Sequence, residues 1–191
     1  EFEKKTEIAG EYDVIVAGSG PSGFAAAVTA ARNGAKTLII EAQSSIGGVS
    51  TSGLMSHFTG RVESRIYSEI LERAHKNDLF ECSDKTKIDP ELLKNTYLEM
   101  LTEAGVDILL YTFVCDVVKK DSRVCGVITE GKGGRKAFLA KVVIDGTGDG
   151  DIAFFAGAEY FKGRESDGKM QPATLMFKVG GVDMSRAVLP P

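Results

Sequence analysis

The sequence predicts an α/β fold in which a parallel sheet carries helices on its faces and an antiparallel β insertion interrupts it. Three observations predict this. Residues 13–23, Asp-Val-Ile-Val-Ala-Gly-Ser-Gly-Pro-Ser-Gly, run from a β-branched strand into a glycine turn, and residues 24–32 continue as a helix rich in small residues. A second apolar run, residues 36–40, reads as the next strand and ends at Glu41. Much later, the apolar residues Val142, Val143 and Ile144 run into a second glycine turn, Asp145-Gly146-Thr147-Gly148-Asp149-Gly150-Asp151. Strands alternating with helices are the pattern of a parallel sheet.

The spacing of the first turn has a chemical reading. Gly18 permits the turn, Gly20 lets the backbone approach a phosphate, and Gly23 lets the helix lie close on its strand. Pro21 fits a first helical turn, where a missing N–H costs nothing. The free N–H groups at that end, including that of Ser22, and the positive end of the helix dipole then face an anion. Gly23, Ala27, Ala30 and Ala31 form a narrow face for packing on a sheet, and Asn33-Gly34 ends the helix. Glu41 stands close to the offset of about 20 residues expected for an acid that accepts ribose hydroxyls. Strand, turn, helix, second strand and acid together predict a Rossmann-like site for the pyrophosphate of a dinucleotide, FAD or NAD(P).

Composition narrows the classes. The 191 residues suffice for one large domain, or one domain and part of another. A formal charge of −4, with no basic cluster interleaved with aromatics, argues against nucleic acid as a partner. No apolar stretch approaches the roughly 20 residues needed to cross a bilayer. Residues 1–10 lack the basic start and apolar core of a secretory signal, so the cytoplasm is the default compartment. The partners expected are a small-molecule substrate and, as an option the sequence leaves open, a second copy of the chain in a homo-oligomer. Cys82, Cys115 and Cys125 have no metal-type spacing and read as reduced thiols, although Cys115 and Cys125 fall on neighbouring strands where a hairpin could bring them together.

Between the acid and the second turn, the chain reads in order as loop, two helices and a meander. Residues 42–60 are rich in Ser, Gly and Thr, with Gly47-Gly48 inviting close backbone approach and the hydroxyls of Ser50 and Thr51 offering contacts to a phosphate or ribityl chain. Residues 61–75 have helical apolar spacing. Asp89-Pro90 starts another helix, which stops at Gly105. Tyr67 and Tyr97 on these helices read as core. Residues 107–111, 114–119 and 124–129 are strands, the last two joined by a turn at 120–123, and 131–134 turns the chain into a strand over 136–144 that ends buried. The second glycine turn and a helix over 152–158 follow, placing backbone amides and Thr147 beyond a strand end, where open sheets bind ligands. The three aspartates of that turn lack the closing acid of a calcium loop, so no metal is assigned.

With these residues in place, a resemblance can be stated. Gly18 to Gly23, Glu41, Gly47-Gly48 and the strand ending in Thr147-Gly148 resemble the glutathione-reductase-like FAD-binding fold. Asp145 to Ala158, with Gln171-Pro172-Ala173-Thr174-Leu175, is similar to the FAD-dependent oxidoreductases related to fumarate reductase and succinate dehydrogenase flavoproteins. The resemblance implies that Gly18, Gly20, Pro21 and Ser22 meet the FAD pyrophosphate. It implies too that Glu41 binds the adenosine ribose, Gly48 and Val49 line the ribityl and flavin side, Val114 offers backbone groups to the adenine, and Thr147 and Gly148 pass near the pyrophosphate and ribose. Disulfide reductases of this fold carry a cysteine pair after the double glycine; here that segment is Val49-Ser50-Thr51-Ser52-Gly53, which argues against a dithiol mechanism.

Members of the family run to several hundred residues, so the chain is expected to be an amino-terminal portion: residues 1–159 an FAD-binding domain, and 160–191 the start of a substrate domain whose first strand is 174–179. The function implied is flavin-mediated hydride or electron transfer. The alternatives are an NAD-dependent dehydrogenase, which Glu41 suits equally, and an FAD-binding domain without chemistry. His57, with Arg61, stands after the double-glycine loop where a substrate contact is conceivable, but the plainer reading is a polar loop histidine. No catalytic residue is assigned.

Overall fold

In the computed structural model, residues 5–55, 57–59, 63–76, 86–183 and 185–188 are described. Cys82 and Arg61 lie outside them. The chain divides into two compact units, Glu1–Phe161 and Lys162–Pro191.

The first unit is built on one six-stranded sheet. Its strands are β1 (Glu7–Ala17), β2 (Thr37–Ile40), β3 (Asp107–Leu109), β4 (Thr112–Lys120), β5 (Arg123–Gly131) and β6 (Lys136–Asp145), in the spatial order β3-β2-β1-β6-β5-β4. β1, β2, β3 and β6 run parallel, while β5 pairs antiparallel with β6 and β4 antiparallel with β5 as the expected insertion. The helices are α1 (Pro21–Arg32), α2 (Arg65–Lys76), α3 (Pro90–Glu103) and α4 (Asp151–Ala156).

Alternation along β1 explains why it is central. Val16 belongs to one core with Phe24, Val28, Ile39, Tyr97 and Leu101, under α1 to α3. Ile15 and Ala17 point the other way, into a second core with Leu38, Ile40, Val117, Val127, Phe138 and Ile152. Each fully buried side chain of this size contributes about 1.5–3 kcal/mol, so the strand is held from both faces. Tyr97 is core as expected, fully buried and stacked on Phe24 at 4.0 Å between ring centroids. Its hydroxyl has no hydrogen-bond partner, and burial, only partly opposed by the neighbouring Ser50, pushes its pKa up. Arg32, Glu69, Arg73 and Glu103 link the outer faces of α1, α2 and α3 in one chain of ion pairs.

Several elements differ from the sequence reading. β1 begins at Glu7, well before the apolar run, because its first half pairs with β6 while its side chains stay largely exposed. The end of β6 is not buried: Val142 is 51% exposed, since β5 pairs only with residues 136–139 and leaves the far edge of β6 open among the described residues. The two hairpin cysteines do not face each other. Cys115 and Cys125 sit at two separate register shifts of β4 and β5, both free, with their thiols donating to Ile128 and Val118 carbonyls.

In the second unit, Arg164 and Asp167 form an ion pair across a tight turn closed by the Gly168 N–H donating to the Arg164 carbonyl. Residues 174–179 are not a strand, because no described segment lies beside them to complete a ladder.

Candidate functional site

Register places the site. Ala17 is level with Ile40 on one side and with Asp145 on the other, so the loops leaving β1, β2 and β6 emerge together at the carboxyl end of the sheet. Each loop is locked to its neighbour by one further hydrogen bond. Gly18 N–H donates to the Ile40 carbonyl (2.7 Å), Gly146 N–H to the Ala17 carbonyl (2.8 Å), and Glu41 N–H to the Leu109 carbonyl (2.8 Å). Because α1 and β2 lie to one side of β1 and β6 to the other, this is the switch point at which open α/β sheets bind ligands.

A cleft of about 620 Å³ opens there, within the range of small-molecule and cofactor sites. Of the sequence-predicted residues, Gly18, Gly20, Pro21, Ser22, Glu41, Gly48, Val49, Val114, Thr147 and Gly148 line it. Gly23 does not: it lies beneath, where a Cβ would come within 2.0 Å of the Gly18 carbonyl oxygen, so its smallness serves the packing of α1 on the turn. Gly18 has φ +86°, and a Cβ on it would strike the Gly146 carbonyl at 2.3 Å. Gly20 is different. Its φ is −58°, open to any residue, and a Cβ there would meet nothing within 4 Å. Among the described residues, no packing requires glycine at this position; the room it leaves belongs to the cleft.

The start of α1 faces that room without a cap. Gly20 offers no side-chain hydrogen bond and Pro21 no N–H, so the first-turn amides, beginning with Ser22, are left for an external acceptor. Among the described residues, no Lys or Arg lines the cleft. An anion there is therefore met by backbone N–H groups, the helix dipole and neutral side-chain donors such as Ser22, rather than by a cationic side chain.

Glu41, 8% exposed, also lines the cleft. Its Oε2 accepts both the N–H and the hydroxyl of Ser19, at 2.9 and 2.6 Å, and its Oε1 accepts the Gln43 N–H at 2.8 Å. Gly47 N–H donates to the Ser19 carbonyl at 3.0 Å, and a Cβ on Gly48 would press on the Gly20 Cα at 3.0 Å, which is how the double-glycine loop reaches the first turn.

Hydroxyls offered by the sequence as ligand contacts turn out to brace the loops instead. Ser50 donates to the Gly47 carbonyl and Thr51 to the Ile46 carbonyl, both at 2.7 Å and both buried. The Thr147 hydroxyl donates to Asp145 Oδ1 (2.7 Å) and accepts the Asp151 N–H (2.9 Å), and the Thr147 N–H donates to the same Oδ1 (3.1 Å), so both its side chain and its amide are engaged within the turn. Burial alone would raise the Asp145 pKa, but hydrogen bonds from the Thr147 hydroxyl and from the N–H groups of Ala153, Thr147 and Ile152 hold the carboxyl below its usual range. That carboxylate thus fixes the turn. His57 is exposed, bridged to Lys87, and does not line the cleft.

The sequence reading missed Thr112 and Phe113, which line the wall beside Val114, and Ser52, Gly53 and Asp151. It also missed Ser19, whose only signal was its place inside the glycine turn.

A Rossmann-like fold with an uncapped helix end at the switch point and an acid at the end of the second strand defines a dinucleotide-binding protein. The comparisons with known proteins make this specific. The family described as FAD dependent oxidoreductase matches residues 13–189, and the chain belongs to it. FAD is the cofactor of that family, and the cradle at Gly20, the free amides of α1 and the carboxylate of Glu41 fit its adenosine diphosphate half. Among curated proteins, the chain is 28% identical over 200 residues to digeranylgeranylglycerophospholipid reductase 1 of Methanococcoides burtonii, covering 93% of this chain and 47% of the relative. It is 33% identical over 153 residues to thiamine thiazole synthase of Methanococcus maripaludis, covering 72% and 56%. Among solved structures, THI4 of Thermovibrio ammonificans shares the fold, with a TM-score of 0.60, 23% identity and coverage of 76% of this chain and 61% of that one. The chain spans about half the length of the curated relatives it matches.

Proposed function

We propose that this chain provides the FAD-binding part of an oxidoreductase that moves electrons between flavin and a small-molecule substrate without a protein disulfide. One observation carries the proposal: the uncapped amino end of α1 opens at the switch point onto a cleft that Glu41 also lines. The pyrophosphate lies against Gly18, Gly20, Pro21 and Ser22. Hydrogen bonds to a charged group are worth about 1.5–3 kcal/mol each. The dipole of the helix adds about 0.3–1 kcal/mol at an exposed end. The backbone amides therefore outweigh the dipole in holding the anion.

Glu41 accepts the adenosine ribose, the backbone around Val114 meets the adenine, and Gly48 and Val49 line the ribityl and flavin side. Thr147 and Gly148 run beside the pyrophosphate, where Gly148, with φ +89° and no atom within 4 Å of a Cβ, leaves space. When bound, FAD supplies hydride or electron transfer; the protein binds and orients it. Residues 160–191 begin the substrate domain.

A reductase is the reading favoured for the whole protein, because the likeness to the archaeal reductase extends over 93% of the chain against 72% for the thiazole synthase. The higher identity to the latter, 33%, supports thiazole synthesis as the second reading. The cofactor test is an absorbance spectrum over about 300–550 nm after incubation with excess FAD and desalting. Retained flavin bands near one per chain are expected. A colourless protein that binds NADH saturably would overturn the FAD assignment in favour of an NAD-dependent dehydrogenase.

A further inference from the structure

Three walls of the cleft meet at Ser19. Its N–H and hydroxyl both donate to Glu41 Oε2, its carbonyl accepts the Gly47 N–H, and its hydroxyl oxygen lies 3.4 Å from the same N–H. Ser19 is completely buried and Glu41 8% exposed, and both are among the residues around the cleft. A carboxylate offers about four acceptor directions, two on each oxygen. Ser19 takes both on Oε2 and the Gln43 N–H takes one on Oε1, which leaves one Oε1 direction for a ligand. Among the described residues, no Lys or Arg forms an ion pair with Glu41, so hydrogen bonds alone set its orientation. Among those bonds, the Ser19 hydroxyl is the side-chain donor. The turn itself does not need that hydroxyl: Ser19 is not in the left-handed region, and its backbone admits alanine.

We infer that Ser19 is the positioning residue for ribose recognition. Its hydroxyl fixes Glu41 so that the remaining Oε1 acceptor meets a ribose hydroxyl of the adenosine half, and it ties that acid to the double-glycine loop. The inference rests on the dinucleotide reading of the cleft. It predicts an effect confined to ligands with ribose hydroxyls, which a merely structural serine would not show.

The test is calorimetric titration of ADP and of 2′,3′-dideoxy-ADP into the wild-type chain and into Ser19→Ala, Ser19→Cys, Ser19→Thr, Glu41→Ala and the Ser19→Ala/Glu41→Ala pair, each checked by thermal melting. The wild type is expected to prefer ADP. Loss of a hydrogen bond to a charged group lowers ADP affinity about tenfold in Ser19→Ala. Affinity for the dideoxy nucleotide stays within about twofold, so the preference collapses; Ser19→Thr, which keeps the hydroxyl, restores it. With Glu41 already replaced by alanine, removing the hydroxyl has no further effect, the non-additivity expected of coupled residues. Ser19→Cys keeps the volume with a weaker donor and reads the same collapse should the alanine variant not fold.

An equal loss for both nucleotides, or an unchanged preference in the alanine and cysteine variants, overturns the role of Ser19 and leaves the dinucleotide reading intact. A wild-type chain that binds neither nucleotide overturns both.

Discussion

Two helices of this molecule begin alike and end their first turns differently. α1 and α3 are 12 and 14 residues long, and each has proline in its first turn. At α3, Asp89 accepts the N–H groups of Glu91 and Leu92 at 2.7 and 3.4 Å, so the helix satisfies its own end. At α1, the same place is held by Gly20, which caps nothing and whose absent side chain leaves open space. The difference separates a helix start that satisfies itself from one left open on the cleft, as the proposed anion site requires. Capping is worth about 0.5–2 kcal/mol, and α1 forgoes it where its amides face the cleft.

Giving α1 the cap of α3 breaks the comparison most sharply. Gly20→Asp puts a carboxylate where the pyrophosphate would lie. Two unit charges about 4 Å apart repel by about 4 kcal/mol at an effective dielectric of about 20, so FAD affinity is expected to fall at least about 100-fold in a fluorescence titration. Aspartate caps better than glycine by only a few tenths of a kcal/mol, so the melting temperature should not fall. The reverse change is smaller. Asp89→Ala should cost about 1 kcal/mol of stability. For a chain of this size that is a melting decrease of roughly 2–4 °C. FAD affinity should stay within about twofold, because Asp89 is not among the residues that line the cleft.

The turn was legible in the sequence because its demands are local. Gly18 supplies the positive φ of the turn, Gly23 lies against the Gly18 carbonyl, Gly20 leaves its room to the cleft, and Glu41 follows from the length of one helix and one strand. Where a property depends on a partner elsewhere in the chain, the sequence reading went astray. Val142 looks buried from its apolar neighbours, yet its exposure is decided by where β5 stops pairing. Ser50, Thr51 and Thr147 are a different case: their partners, the carbonyls of Gly47 and Ile46 and the Asp145 carboxylate, lie only two to five residues away, but which way each hydroxyl turns is set by the loop conformation and not by residue type. The first half of β1 escaped notice because it is held by backbone pairing with β6 and has no apolar period to announce it. Ser19 escaped for a related reason: its meaning lies in the approach of Glu41, 22 residues away.

The central claim is that this cleft reads the adenosine diphosphate half of a flavin dinucleotide, through the open end of α1 and through Glu41. The most direct measurement is calorimetric titration of FAD and of FMN, which lacks that half, into the same preparation. FAD is expected to bind at least about tenfold more tightly, since the backbone amides at the pyrophosphate contribute only to the dinucleotide. Equal affinity for the two flavins would contradict it.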